Sequence, residues 1–456
     1  MAEIDLSRPR RLHIVGVGGA GMSAIATVLV AMGHQVSGSD LKASAALERL
    51  QALGVDARVG HDGEHVHGAD VVVASTAVPP TNLEIREATR LGIPVCRRAE
   101  ALAAIAAVRR SVAVSGTHGK TTTSSMLSLI LTEAGMHPSF IIGGDINEVG
   151  SGAAWGDGDW LVVEADESDG TFLELAPEVA VVTNIEADHL DHYGSLANLE
   201  SAFGQFLAGA AGGRVVCGDD PVAARLAAEL GATTYGLAEA AAVRIVAVER
   251  GRASSAFDVV REGTTLGRVE LAVPGLHNVR NACGALVAAM QVGAPFAAAQ
   301  RALARYGGVA RRFEFRGERE GITYVDDYAH LPSEVAAAIA AAGDGRWARI
   351  VAVFQPHRYS RTASLWRGFA DAFEGADLVV LTDVYGAGEA PRPGVNGRLL
   401  ATAVREAHPD QAVQYVSSRS ELPGRLRSLL RPGDLCLTMG AGDLTLLPDE
   451  LLEPPA

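Results

Sequence analysis

An α/β protein of three domains is what this sequence predicts, and three observations predict it. Apolar strand-like runs alternate with helix-like runs in three separate stretches, the pattern of parallel sheets with helical crossovers. The strands end in polar, chemically loaded tips, where parallel sheets place their ligands. The 456 residues, 48 % hydrophobic and 20 % charged, suffice for about three domains at roughly 150 residues each.

The elements follow in order. RLHIVGV reads as a strand, followed by a Gly-rich turn and a helix over 20–32. HQVSGSD is a second strand, SAALERLQALG a helix, ADVVVAST a buried strand, EIREATRLG a helix and IPVCRR a short strand. The Ala-rich helix EALAAIAAVRR closes a first domain, 1–109. In the second, 110–316, SVAVSG, WLVVEAD and VAVVTNI are strands. The strand-rich RIVAVE, SAFDVVRE and GRVELAV follow, then the helix HNVRNACGALVAAM. After a shift in composition at GVARRFEFRGEREGI comes a third domain, 317–456, with the strands TYVDDYAH, ARIVAVFQPH, ADLVVLTDVYG and DLCLTMGAG.

Composition removes several classes of function. A net charge of −15 argues against coating nucleic acid. No apolar run reaches the roughly 18 residues of a membrane span, and MAEIDLSRPRRLHIV carries no apolar signal segment; a cytoplasmic chain is expected. Cys96, Cys217, Cys283 and Cys436 are far apart, so neither a zinc knuckle nor a disulfide framework is indicated. Lys42 and Lys120 are the only lysines against 37 arginines. Lys120 therefore stands where a compact ammonium on a flexible stem is wanted, as beneath bridging phosphates.

Gly16, Gly18 and Gly21 fit G-x-G-x-x-G between a strand and a helix, with Asp40 ending the next strand. This is a Rossmann-like diphosphate turn, for NAD or for a UDP-sugar. In SVAVSGTHGKTTTSSML, Gly116, Thr117 and Gly119 lead to Lys120, Thr121 and Thr122. The spacing is shorter than the common phosphate loop, but its parts are those of one: glycines exposing amides, a lysine for β/γ-phosphates and a threonine hydroxyl for Mg²⁺. Glu164 ends the strand of VVEADESDGTF, and carboxylates at that tip suit Mg²⁺. TNIEADHLDHYG offers Asn184, Glu186 and His189, the last for a second Mg²⁺. The string HDGEHVHGAD, with His61, His65 and His67, reads as a solvated loop. The third domain offers Asp326, Asp327, Tyr328 and His330, then His357, Arg358 and Arg361 in FQPHRYSRT. Two arginines at a strand end suit a planar oxyanion.

G-T-H-G-K-T-T at 116–122, E-A-D-E-S-D at 164–169, T-N-I-E-A-D-H at 183–189, H-N-V-R-N at 277–281, R-R-F-E at 311–314, D-D-Y-A-H at 326–330, F-Q-P-H-R-Y-S-R-T at 354–362 and D-V-Y-G-A-G-E-A-P at 383–391 stand in one order along the chain. Together with V-G-V-G-G-A-G-M-S they resemble the Mur ligases of cell-wall synthesis, over essentially the whole length, and within them the branch that adds L-alanine to UDP-N-acetylmuramate. The resemblance implies a Rossmann-like UDP-binding domain, a central P-loop ATPase-like domain and a C-terminal Rossmann-like domain that takes the amino acid. It implies ATP and Mg²⁺, and an amide made through an acyl phosphate for peptidoglycan precursors. The recycling branch, which joins a whole peptide to the same UDP-sugar, is the alternative.

On the same ground Lys120 cradles the phosphates, and Thr121 (or Thr122), Glu164 and His189 hold Mg²⁺. His277, Asn278 and Asn281 contact adenosine. Arg312 and Asp326 or Asp327 reach the phosphates from the other side. Gly18, Gly19, Ser39, Asp40 and Thr76 hold UDP, and His118, Asn184 and Glu186 orient the muramoyl carboxylate. Tyr328, His330, Arg358 and Arg361 form the alanine and carboxylate pocket; His330 is read as the base from its place there and from the near-neutral pKa of an imidazole. Two departures stand out. No lysine follows Lys120, so the carbamylated lysine of sister ligases is absent, and Leu331 replaces a second histidine.

Overall fold

The computed structural model describes residues 4–75 and 77–454. The chain divides into two compact units: Met1–Ala247 with Phe257–Val269 and Arg280–Tyr306, and Val248–Ala256 with Glu270–Val279 and Gly307–Ala456.

The first unit opens with a parallel five-stranded sheet of Arg11–Val15 (β1), Gln35–Asp40 (β2), Asp56–Val59 (β3), Val71–Ala74 (β4) and Val95–Arg97 (β5). Its order is β3-β2-β1-β4-β5. The order reverses at β1, so the crevice for a ligand opens beyond the C-terminal end of β1. The Gly-rich turn lies there, followed by the helix Ala20–Ala31 (α1). Helices Ala45–Ala52 (α2), Leu83–Leu91 (α3) and Arg98–Ala106 (α4) complete the layer.

A second sheet holds Arg110–Ser115 (β6), Ser139–Ile146 (β7), Ser151–Ala154 (β8), Trp160–Glu164 (β9), Val179–Val182 (β10), Gly213–Cys217 (β11), Thr233–Gly236 (β12), Val243–Arg250 (β13), Ser255–Arg261 (β14) and Thr264–Leu271 (β15). Their order is β15-β14-β13-β12-β11-β10-β6-β9-β7-β8. β6 runs parallel between β9 and β10, and the middle of each strand is apolar because both faces are covered. Helix Lys120–Glu133 (α5) follows β6. The antiparallel hairpin β7–β8 has no counterpart among the expected strands: GGDINEVGSG carries no apolar alternation to betray it. Ile14, Ile25 and Leu29 of the first sheet layer share one buried cluster with Leu161, Phe172 and Phe203 of the second.

The other unit holds Glu314–Arg319 (β16), Ile322–Asp327 (β17), Arg349–Phe354 (β18), Leu378–Thr382 (β19), Val413–Val416 (β20) and Asp434–Met439 (β21). Their order is β16-β17-β21-β18-β19-β20. β16 pairs antiparallel with β17 and straddles the expected boundary at 316/317, so the third sheet begins at Glu314.

Candidate active site

The loop after β6 shows why it needs glycine. Gly116 has φ +135°, and a Cβ there would lie 2.0 Å from Thr183 Oγ1; Gly119 has φ +80°, and its Cβ would meet Asn281 Oδ1 at 2.4 Å. A side chain at either place would be strained and crowded. The second clash also places Asn281, on the helix Leu276–Gln291, against the loop. His277 and Asn278 start that helix; Asn278 is buried and donates its amide to Pro274 O at 2.7 Å.

Lys120 opens α5. Its ammonium donates to Gly116 O (2.6 Å), Thr117 O (3.2 Å) and Glu167 Oε1 (2.9 Å). Burial pulls its pKa down, but Glu167, Asp166 and Glu164 outweigh that and raise it. Burial also pushes the Glu167 carboxyl up against the pull of Lys120, so this buried carboxylate depends on the ammonium. Nothing in the sequence pattern singled out Glu167 from its acidic neighbours.

Thr121 Oγ1 donates to Glu164 Oε1 at 3.0 Å, and Gly143 N donates to Glu164 Oε2 at 2.7 Å. These are two hard oxygen donors at a strand tip beside a phosphate loop. They fit Mg²⁺, which takes few protein ligands and completes its shell with phosphate and water. His189, expected as a ligand to a second Mg²⁺, has its Nε2 3.2 Å from the Oδ2 of its neighbour Asp188. Among the described residues no group of three or more His, Cys, Asp or Glu is gathered for a metal.

Asn184 was expected to orient substrate. Its Oδ1 instead accepts from His118 N (2.9 Å) and its Nδ2 donates to His118 O (3.0 Å). With both amide ends used, Asn184 clamps the loop. His118 Nε2 lies 3.2 Å from Glu186 Oε2, so the structure brings these two expected substrate residues together beside the loop.

At the other Gly-rich turn, Ser39 O accepts from Gly16 N and Val17 N, and Asp40 Oδ2 accepts from Gly18 N at 2.9 Å. Asp40 thus braces the turn, and a Cβ on Gly18 would press on that carboxylate at 2.9 Å. Gly19 caps α1. Ser39, expected against UDP, is fully buried and donates its hydroxyl to Glu84 Oε2 at 2.6 Å; it shapes the turn from behind. Thr76 lies outside the described residues.

The histidine string is solvated only in part: His67 is exposed, whereas His61 and His65 turn inward. Glu84, 0 % exposed, receives His61 Nδ1 at 2.9 Å and His65 Nδ1 at 2.8 Å, with His13 Nε2 at 3.5 Å. The one signal in the sequence was the helix cap: Asn82 Oδ1 accepts from Glu84 N and Ile85 N, which fixes Glu84 in the first turn of α3, where the helix dipole favours an anion. Burial would raise the Glu84 carboxyl, but the hydrogen bonds of His13, Ser39 and His65 prevail and hold its pKa at about 2. A group so lowered stabilises the fold above its ordinary 4.5 and loses that contribution as pH falls toward about 2. Replacing Glu84 with alanine is expected to cost about 3–5 kcal/mol in urea unfolding at pH 7, because it leaves buried imidazoles without their partner. The gap between variant and parent should narrow below about pH 4.5.

In the second unit, Tyr328, His330, His357, Arg358 and Arg361 gather beyond the C-terminal ends of β17 and β18. His330 Nδ1 donates to Tyr328 O at 3.0 Å, a carbonyl that can only accept. Its Nε2 is then left with a lone pair. Burial first, then Arg361 and Arg312, lower the His330 pKa against the pull of Glu334. The ring centroids of His330 and His357 are 6.1 Å apart, and His357 stacks on Tyr385 at 5.8 Å. Burial, His330 and the two arginines push His357 down to about 4. Its Nδ1 lies 3.4 Å from Arg361 Nη1. Arg358 is exposed with φ +67°, and Ser360 anchors its loop by donating Oγ and N to Glu389 at 2.5 and 2.8 Å.

Asp326 and Asp327 point to opposite faces of β17. Asp326 is buried and accepts from Thr438 (2.8 Å), Thr445 (2.7 Å) and Arg311 (3.4 Å). Asp327 accepts from Phe313 N and Ala329 N, both 2.7 Å. Burial, opposed by Arg312 and those amides, raises it to about 6. Both carboxylates are thus committed within the unit, and Arg312 lies over the Tyr328 ring at 5.2 Å.

Three family models match in order: "Mur ligase family, catalytic domain" over 11–110, "Mur ligase middle domain" over 114–289 and "Mur ligase, glutamate ligase domain" over 311–442. The chain is 48 % identical to the UDP-N-acetylmuramate–L-alanine ligase of Rubrobacter xylanophilus, covering 97 % of this chain and 99 % of the relative. It is 46 % identical to that of Solidesulfovibrio magneticus, covering 96 % of each. Among solved structures, the UDP-N-acetylmuramate–alanine ligase of Thermotoga maritima superposes with a TM-score of 0.83 at 29 % identity, over 97 % of this chain and 98 % of that one. A murein peptide ligase of Psychrobacter arcticus shares the fold, with a TM-score of 0.70 at 24 % identity over 97 % and 98 %. The chain belongs to the Mur ligase family.

Proposed function

We propose that the protein uses ATP to join L-alanine to the lactyl carboxylate of UDP-N-acetylmuramate. The observation that carries this reading is the Lys120 loop, seated between the Glu164 tip and the Asn184 clamp. The alanine ligases of Rubrobacter and Solidesulfovibrio, similar over nearly their whole length, support it.

A carboxylate does not condense with an ammonium directly, because the anion is a poor electrophile. The lactyl oxygen attacks the γ-phosphorus, ADP leaves with the bridging oxygen, and an acyl phosphate results. The alanine amine then attacks the acyl carbon, and phosphate leaves. Lys120 holds the β- and γ-oxygens, and the amides of Gly116 and Gly119 line the loop. Thr121 and Glu164 would hold Mg²⁺, which when bound spreads the phosphoryl charge. His118 and Glu186 orient the carboxylate, and His277, Asn278 and Asn281 take adenosine. Arg358, Arg361 and Tyr328 take alanine, and His330 Nε2 receives the ammonium proton. A cleft of about 580 Å³ along α1 and α2 to the β7–β8 hairpin, lined by Ser23, Arg49, Asp145 and Ser151 among others, gives the sugar room on the way to Glu164. No described helix is long and apolar enough to cross a membrane, and a cytoplasmic place suits these substrates.

Phosphate release tests the reading. With ATP, Mg²⁺ and UDP-N-acetylmuramate, sustained release is expected only when L-alanine is added. Release as fast with a tripeptide in place of L-alanine would favour the recycling reaction instead.

A further inference from the structure

The third glycine of the N-terminal turn has an unexpected neighbour. A Cβ on Gly21 would lie 2.9 Å from Arg98 Nη1 and 3.4 Å from Arg98 Cδ. Gly21 therefore makes room for an arginine that begins α4 and lays its side chain along the first turn of α1. The first amides of a helix have no partner within it, and they form the anion-binding end of α1. Arg98 brings a full positive charge to the same end.

That charge is loosely committed. Among the described residues the ion pair of Arg98 is with Asp166, at 3.9 Å from Nη2 to Oδ2, too long for a hydrogen bond. Asp166 Oδ1 meanwhile accepts from Ser168 N. The neighbouring Arg97 behaves differently and makes a close pair with Glu174 at 2.7 Å. Arg97 thus already ties α4 to the segment after β9, and Arg98 is not needed for that purpose. A helix N-terminus offers about half a charge, well short of a diphosphate. Asp40 and Glu84 add negative charge behind the turn.

We propose that Arg98 is a substrate-binding residue: its guanidinium grips the diphosphate of the UDP-sugar at the start of α1. This rests on the reading of that turn as the UDP-sugar site. It also assigns Gly21 a role beyond helix packing, since a larger residue would push the guanidinium off the turn.

Calorimetric titration with UDP-N-acetylmuramate, UDP and uridine tests this on the full chain, using Arg98→Ala, Arg98→Lys and Asp166→Asn. Arg98→Ala is expected to weaken UDP-sugar and UDP binding about 10- to 100-fold and to leave uridine unchanged. Its loss should shrink with added salt. Arg98→Lys, which keeps the charge without the fork, should fall between. Asp166→Asn should bind as well as the parent or better, since it frees the guanidinium. Equal binding by Arg98→Ala and the parent would overturn the proposal. So would equal losses in Arg98→Ala and Asp166→Asn, the mark of a strut between α4 and the Asp166 loop. A parent chain that bound no UDP-sugar would bring down the function reading and this one together, whereas a binding parent with an indifferent Arg98→Ala would sink only this one.

Discussion

Replacing Lys120 with alanine is expected to lower phosphate release by at least about 10²- to 10³-fold, the scale of losing one donor aimed at developing charge. Lys120 does two things at once. Its ammonium draws together Gly116 O, Thr117 O and Glu167, and on the account above it meets the β- and γ-oxygens of ATP. Its loss also leaves Glu167, 1 % exposed, as a buried carboxyl without a counter-charge. Breaking such a pair from one side costs about 3–5 kcal/mol. The two effects separate in the double variant Lys120→Ala with Glu167→Gln. Stability in urea should largely return, because no buried charge is left, while phosphate release stays lost. A double variant that regained activity would show that the lysine served only to neutralise Glu167.

Replacing His330 with glutamine should strike later in the reaction. The Nδ1–H of His330 is tied to Tyr328 O, and its lowered pKa keeps the ring neutral at physiological pH. A neutral ring with a free Nε2 lone pair is the form that takes a proton from an ammonium. The amide-forming step should fall by about 10²- to 10⁴-fold, while ADP continues to form until the acyl phosphate accumulates or hydrolyses. The parent rate should decline as pH drops through the lowered pKa of His330, and the variant should lose that limb. Single-turnover experiments that follow ADP and amide separately read both outcomes. An unchanged amide step with an unchanged pH profile would remove His330 from the base role.

Much of this was legible because burial and chemistry change abruptly at strand tips. SVAVS, WLVVE and VAVV have apolar middles, so their ends stand out: Glu164 closes its strand, Asn184 stands just past Val182, and Lys120 opens the helix after the loop that follows Ser115. The N-terminal glycines were legible for the same reason. What a side chain does at a tip was less so. Asn184 and Ser39 sit where substrate residues belong, yet their polar groups turn back to hold His118 and Glu84. A linear pattern gives position along the strand and not the direction of a hydrogen bond. The histidines at 61–65 looked solvated because Glu84, which gathers them, lies about twenty residues away on α3. Arg98 was silent among 37 arginines until the missing Cβ of Gly21 disclosed where its guanidinium runs.

If the sugar's carboxylate is activated by phosphorylation, an oxygen label follows that bond directly. UDP-N-acetylmuramate carrying ¹⁸O in its lactyl carboxylate would be turned over with ATP and L-alanine in ordinary water, and the released phosphate weighed. One ¹⁸O is expected in each phosphate from fully labelled carboxylate, since the oxygen that attacks phosphorus leaves with it. Unlabelled phosphate, released at the same rate as the amide forms, would contradict it and point to ATP hydrolysis by water.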